Sequence, residues 1–249
     1  MQSALDQFRI SIGRVRDLIA LHNSVKAQAT GALDVSDMLR AALVLAVSAL
    51  DYYVHEVVTL GMLEIHRGQR SEPTLSANTT QSAFSRFQVS LGGARQDRLA
   101  ATDIASWLET EIQQIHGYEF LQEPHAVSAL IPTISNSIIN RLDNASWLEN
   151  EIRESLGYKS FQQADKIAEA LKYISGKKLW DEIAISSNKF SKDIKQQLNS
   201  IVDRRNKIAH EADIDPTFNI GSRWYIDEIL VRDAVDFIQQ LVESIHRTL

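Results

Sequence analysis

Arg205, Asn206 and His210, within the run RRNKIAHEAD at 204–213, have residue types and a spacing that could do chemistry. Histidine titrates near neutrality and moves protons, while arginine stays charged and offers a planar fork to phosphate oxygens. Together they suit metal-independent RNA cleavage. There the ribose 2′-hydroxyl is the nucleophile, and the protein supplies proton transfer and a fixed cation. DNA lacks that hydroxyl and is spared. On an ideal helix Asn206 and His210 differ by about 40°, so the amide can hydrogen-bond the imidazole and set its tautomer. Arg205 and His210 differ by about 140°, so both could address one phosphate only at a frayed helix end or across a subunit interface. Arg204 competes for the arginine role.

The elements that must position these groups read as helices. Leu5, Phe8, Ile12, Val15, Leu18, Ile19 and Val25 mark an amphipathic helix over 3–26. A break at TGALDVSDM follows, and Ser36 is placed to cap a second helix reaching about Ile65. Around AALVLAVSAL (41–50) that helix is apolar on most of its circumference, which marks it as the central core element. It ends in a polar island of Asp51, Tyr52, His55 and Glu56; Asp51 and Tyr52 are candidate supporting residues. ASWLETEIQQIHGY (105–118) and ASWLENEIRESLGY (145–158) share nine of fourteen positions at an offset of 40 residues, a duplicated helical hairpin. Trp107 and Trp147 within it are expected in the core. Further helices run over 162–172, from about 187 through RRNKIAHE, and from Val231 to the C-terminus. Sustained period-two alternation is missing, so the chain reads as all-α.

Composition narrows the function. There is no cysteine, hence no disulfide, thiolate nucleophile or Cys-ligated zinc, and a reducing cytoplasm is expected. The longest apolar run is too short to span a bilayer, so no membrane association is expected. His55 starts HEVVT, which has Thr59 where a zinc HExxH motif needs histidine, and no phosphate-binding glycine loop occurs. No metal or cofactor is expected. The net charge of −6 disfavours binding nucleic acid over the whole surface. Residues 186–210, however, hold six bases against two acids, a net +4, whereas 211–249 has three bases against eight acids, a net −5. Arg204, Lys207, Lys195 and Lys192 on that positive stripe are candidate substrate contacts.

A second Arg-to-His pattern, RDLIALH at 16–22, sits on an amphipathic core helix without basic flanks. Context separates the two. VDRRNKIAHEADID, before one terminal helix of an all-helical chain, resembles the HEPN superfamily, whose signature is Arg, a polar residue, a short spacer and His. LRAALVLAVSALDYYVHEV (39–57) resembles the long helix beside that motif. WLENEIRESLGYKSFQQADKIAEAL and LWDEI are similar to the segment preceding it in the bacterial RiboL-PSP type. The resemblance implies an antiparallel helical bundle that dimerises and brings two motifs into one cleft. It also implies metal-independent endoribonuclease activity of the kind used in toxin–antitoxin, phage-defence or RNA-processing systems, with Arg205 and His210 as catalytic pair and Asn206 in support.

The expected organisation is one all-α domain over 1–249. Its HEPN-like core comes from 1–66 and 186–249, with 67–185 as a helical insertion carrying the repeat. RNA and a second copy of the chain are the expected partners, with an antitoxin or nucleotidyltransferase-like protein as a further one. The alternative is a non-catalytic module that binds RNA, a nucleotide or a protein.

Overall fold

The computed structural model describes residues 1–28, 34–73, 146–217 and 220–249, with 106, 108–110, 112, 113, 116–122 and 131–135 between them. It divides the chain into two compact units, Met1–Ala83 with Leu156–Leu249, and Phe84–Ser155.

In the first unit α1 (Gln2–Gln28) buries Leu5, Phe8, Ile12, Val15 and Ile19 at three- and four-residue spacing. α2 (Ser36–His66) receives that face and also packs against the later helices. By length and composition alone α2 could cross a membrane, but Leu43, Val47, Leu50, Val54, Val58 and Met62 are all buried within the protein. It is the core helix the sequence predicts. Its start is capped differently: Ser36 is its first residue, Asp34 Oδ1 accepts the Ser36 amide at 2.9 Å, and the Ser36 hydroxyl accepts from Arg40. A carboxylate is the stronger acceptor for an orphan amide.

α3 (Ser146–Gly157) buries Leu148, Ile152 and Leu156 along one face. α4 (Ala164–Leu171), α5 (Leu179–Ser187), α6 (Ser191–Glu211) and α7 (Glu228–Thr248) follow. Before α3, a 3-10 helix spans Tyr118–Gln122 and residues 131–135 are helical. α7 begins at Asp227, whose side chain accepts the Leu230 amide at 2.8 Å, and buries Val231, Val235, Ile238, Val242 and Ile245. α6 buries only Ile194, Leu198 and Val202, a narrow stripe that leaves its other faces for different work. Among the described residues the fold is all-α, with one isolated bridge between Ile214 and Arg223.

The expected boundaries need correction. Residues 156–185 belong to the first unit rather than to an insertion, and the chain forms two units rather than one domain. α4 and α5 dock there because they bury Ile167, Leu171, Trp180 and Ile183, and the Trp180 indole donates to the Ala164 carbonyl at 3.1 Å. The second repeat copy forms α3, while Trp107 lies outside the described residues.

Two predictions arise from this core. A Cβ on Gly61 would stand 2.8–3.0 Å from the Ile174 side chain. Gly61→Ala therefore overpacks the contact and costs about 1–3 kcal/mol in denaturant unfolding, despite alanine's better helix propensity. The second concerns acid. The Tyr53 hydroxyl, fully buried, hydrogen-bonds His246 Nδ1 at 3.1 Å. Burial holds the His246 pKa below its usual 6.5; the N-terminal ammonium and Arg9 push the same way, against Glu243 and Asp6. A depressed histidine favours the neutral fold, so its contribution is complete above 6.5 and shrinks as pH falls below it. Melting temperature should decline over that acid interval, and His246→Phe should flatten that part of the profile.

Candidate active site

α6 carries Val202, Asn206 and His210 on one face, with Arg205 at its edge. That face lines a cleft of about 710 Å³. The other walls are the segment 159–163, the Lys166–Glu169–Ala170–Tyr173 stripe of α4 and the turn after it, and Asp51 of α2. Spacing of three and four residues puts the α4 stripe on one side of its helix.

The segment 159–163 is fastened to α2 at both ends. Asp51 Oδ1 accepts the Phe161 amide at 2.7 Å, and Oδ2 accepts from Gln162 Nε2 at 3.0 Å. His55 Nε2 lies 3.1 Å from the Lys159 carbonyl, as its donor, and its ring stands against Phe161 at 4.7 Å. The polar island on α2 thus holds a wall of the cleft. Tyr52 does not share in this; it is half-exposed and outside the cleft lining.

Arg205 Nη1 donates to Asn206 Oδ1 at 3.0 Å, and its Nε is buried with no hydrogen-bond partner among the described residues. An unpaired buried donor costs about 1–3 kcal/mol. The amide of Asn206 therefore serves the guanidinium rather than the imidazole. His210 is exposed at the mouth, in the last turn of α6. Arg205 and His210 line the same cleft of a single chain, so neither a frayed helix nor a partner is needed to bring them together. The long arginine stem bridges the angle of about 140° that separates the two positions around the helix.

Arg204, one residue earlier, is turned away by about 100° and fills a structural role. Its guanidinium pairs with Asp213, with Nη2 to Oδ2 at 2.8 Å, and donates to the Trp224 and Tyr225 carbonyls at 3.2 Å each. Arg40 Nε reaches the same carboxylate at 2.6 Å, and Arg40 Nη2 donates to Trp224 at 3.0 Å. Asp213 is fully buried and has φ +58°; Ala212 before it has φ +51°. Two successive left-handed residues end α6 sharply and turn the carboxylate back between two guanidiniums. This clamp fixes the helix end that carries His210.

The other expected substrate contacts also lie elsewhere. Lys207, on the face of α6 opposite Arg205, stands 4.8 Å from the Trp224 ring centroid. Lys195 and Lys192 are about 15 and 20 Å along the helix axis from Arg205. Lys195 faces Asp165 at 3.5 Å, and Lys192 is exposed outside the cleft. The cations that do line it, Lys159 and Lys166, carry no motif. Their only sequence signal is the one-sided spacing of Lys166, Glu169, Ala170 and Tyr173.

Residues 102–249, more than half of the chain, match the family model RiboL-PSP-HEPN. The chain belongs to this family. HEPN domains are often ribonucleases and commonly bind RNA and dimerise, so an RNA-related function holds at the level of the family. No curated protein and no solved structure matches the chain. The matched region of this HEPN protein contains α3–α7, and so every cleft residue named above except Asp51.

Proposed function

We propose that this HEPN protein is a metal-independent endoribonuclease that uses Arg205 and His210, with Asn206 orienting the arginine. The observation that carries the reading is that Arg205, with its guanidinium hydrogen-bonded to Asn206, lines the same cleft as His210. A phosphodiester seated there would receive the guanidinium's free donors while His210 exchanges a proton with a ribose or leaving-group oxygen. The 2′-oxygen attacks phosphorus, the P–O5′ bond breaks, and the products carry a 2′,3′-cyclic phosphate and a 5′-hydroxyl.

This reaction needs one proton removed from the 2′-hydroxyl and one delivered to the 5′-oxygen. His210 is the one histidine lining the cleft among the described residues, so a second copy would supply the other imidazole. A second hollow between α2 and α6 offers that copy a seat. It is lined by Ala41, Val44, Leu45, Ile208 and Ala212 together with the charged Asp37, Arg40 and Arg223, and Leu45 is half-exposed. The proposed enzyme is a homodimer, and toxin or phage-defence roles are the settings in which such an activity is used.

The test is incubation of the purified protein and of His210→Ala with mixed cellular RNA in EDTA. Removing a general acid or base is expected to cost about 10²–10⁴-fold in cleavage rate. Wild-type cleavage with cyclic phosphate ends, lost in the variant, supports the reading. Equal cleavage by both removes His210 from the chemistry, and cleavage by neither leaves a binding module.

A further inference from the structure

Three cations line the cleft, more contacts than a single phosphate uses, and two carboxylates, Asp51 and Glu169, line it with them. Lys159 and Lys166 line it from the 159–163 segment and from α4, while Arg205 lines it from α6. Both lysines are exposed, so their ammonium groups are available to a ligand. Lys159 Nζ stands 5.8 Å from the centroid of the Tyr173 ring, which limits the directions its stem can take. Lys166 Nζ is 3.1 Å from Glu169 Oε2, and both of these side chains are more than half exposed. A pair so exposed is weak, and the ammonium has three donors, so it can turn to another anion at little cost. Glu169 itself is held below the usual carboxylate range, first by its hydrogen bond from Lys166 and further by the charges of Lys159 and Lys172. Of the three lysines, Lys159 and Lys166 line the cleft, and the second carboxylate there, Asp51, already accepts from the Phe161 amide and from Gln162.

We propose that Lys159 and Lys166 form a second phosphate subsite, holding the phosphate adjacent to the one at Arg205 and His210. The ligand of the cleft is then a single nucleic-acid strand with at least two consecutive internucleotide phosphates. This rests on the proposed function for the identity of the first phosphate. A cleft of about 710 Å³ has room for a few nucleotides of one strand but not for a duplex about 20 Å across. Glu169 acts as the competitor: it occupies Lys166 when the subsite is empty and repels phosphate when it is filled.

The probes are 2′-O-methyl oligoadenylates of two and three nucleotides, which carry one and two internucleotide phosphates and cannot be cleaved. Their affinity is measured over a salt series for wild type, Lys159→Ala/Lys166→Ala and Glu169→Gln. Each phosphate neutralised on a single strand contributes a slope of about −0.7 in log K against log salt. Wild type is expected to bind the trinucleotide roughly tenfold tighter than the dinucleotide, with a slope near −1.4. The double-lysine variant should lose that gain and fall to a slope near −0.7. Glu169→Gln should tighten the trinucleotide several-fold without affecting the dinucleotide, an effect loss of a structural contact would not give.

No gain from the second phosphate in wild type overturns the subsite, and so does an unchanged slope in the double-lysine variant. Because nothing is cleaved, the two proposals fail separately. Normal cleavage of ordinary RNA with a slope indifferent to the lysines removes only the subsite. The expected slopes, with no cleavage by wild type, remove only the ribonuclease.

Discussion

Arg205→Ala should lower RNA cleavage by about 10²–10³-fold, the cost of removing one preorganised donor from a developing oxyanion. The melting temperature should hardly change. Among the described residues the Arg205 guanidinium makes one hydrogen bond, to its neighbour Asn206, and its buried Nε has no partner. Its removal therefore takes away a cost together with a contact. Arg205→Lys should recover little, because an ammonium is a point charge and cannot offer two parallel donors to a phosphate. Single-turnover cleavage and thermal unfolding, measured on the same preparations, check both halves. A loss of stability equal to the loss of rate would assign Arg205 to the scaffold.

Asp213→Asn should do the reverse. Asparagine tolerates the left-handed backbone and keeps the shape of the side chain, so the substitution isolates the charge. It leaves the guanidinium of Arg40, 6% exposed, and that of Arg204 without their shared anion. Removing one partner from a buried ionic cluster costs about 3–5 kcal/mol, a large fraction of a typical domain's total stability. Urea unfolding would read the loss as a lower midpoint. Cleavage measured at a temperature where the variant remains folded should change far less than for Arg205→Ala. Arg204→Ala should show the same pattern in weaker form, since that side chain is 23% exposed and partly screened.

The helices were legible because their apolar residues recur at helical spacing, from Phe8 and Ile12 in α1 to Ile238 and Ile245 in α7. Arg205, Asn206 and His210 were legible as neighbours on one helix. Asp51 was visible as a charge in the middle of a mainly apolar helix, an expensive place for an unpaired carboxylate. The division of labour between Arg204 and Arg205 was not visible. It depends on Asp213, beyond two left-handed residues, and on Arg40, 173 positions away. Lys192 and Lys195 looked relevant because charge was counted along the chain, whereas a ligand meets charge gathered in space. Lys159 and Lys166, far from the motif in sequence, were overlooked for the same reason.

The Asp51 and Asp213 contacts join distant parts of the chain. Asp51 is 110 residues from Phe161, and Arg40 is 173 from Asp213. Contacts of such separation must wait for the intervening chain to exist and to close a long loop. During synthesis α1 and α2 therefore emerge well before the segments that complete the cleft. Asp51 has nothing to anchor until 159–163 is made, and the α6 end carrying His210 has no clamp until Asp213 has followed it. Synthesis itself thus delays assembly of the site, so a growing chain beside ribosomal RNA carries no finished cleft until its last third has been translated.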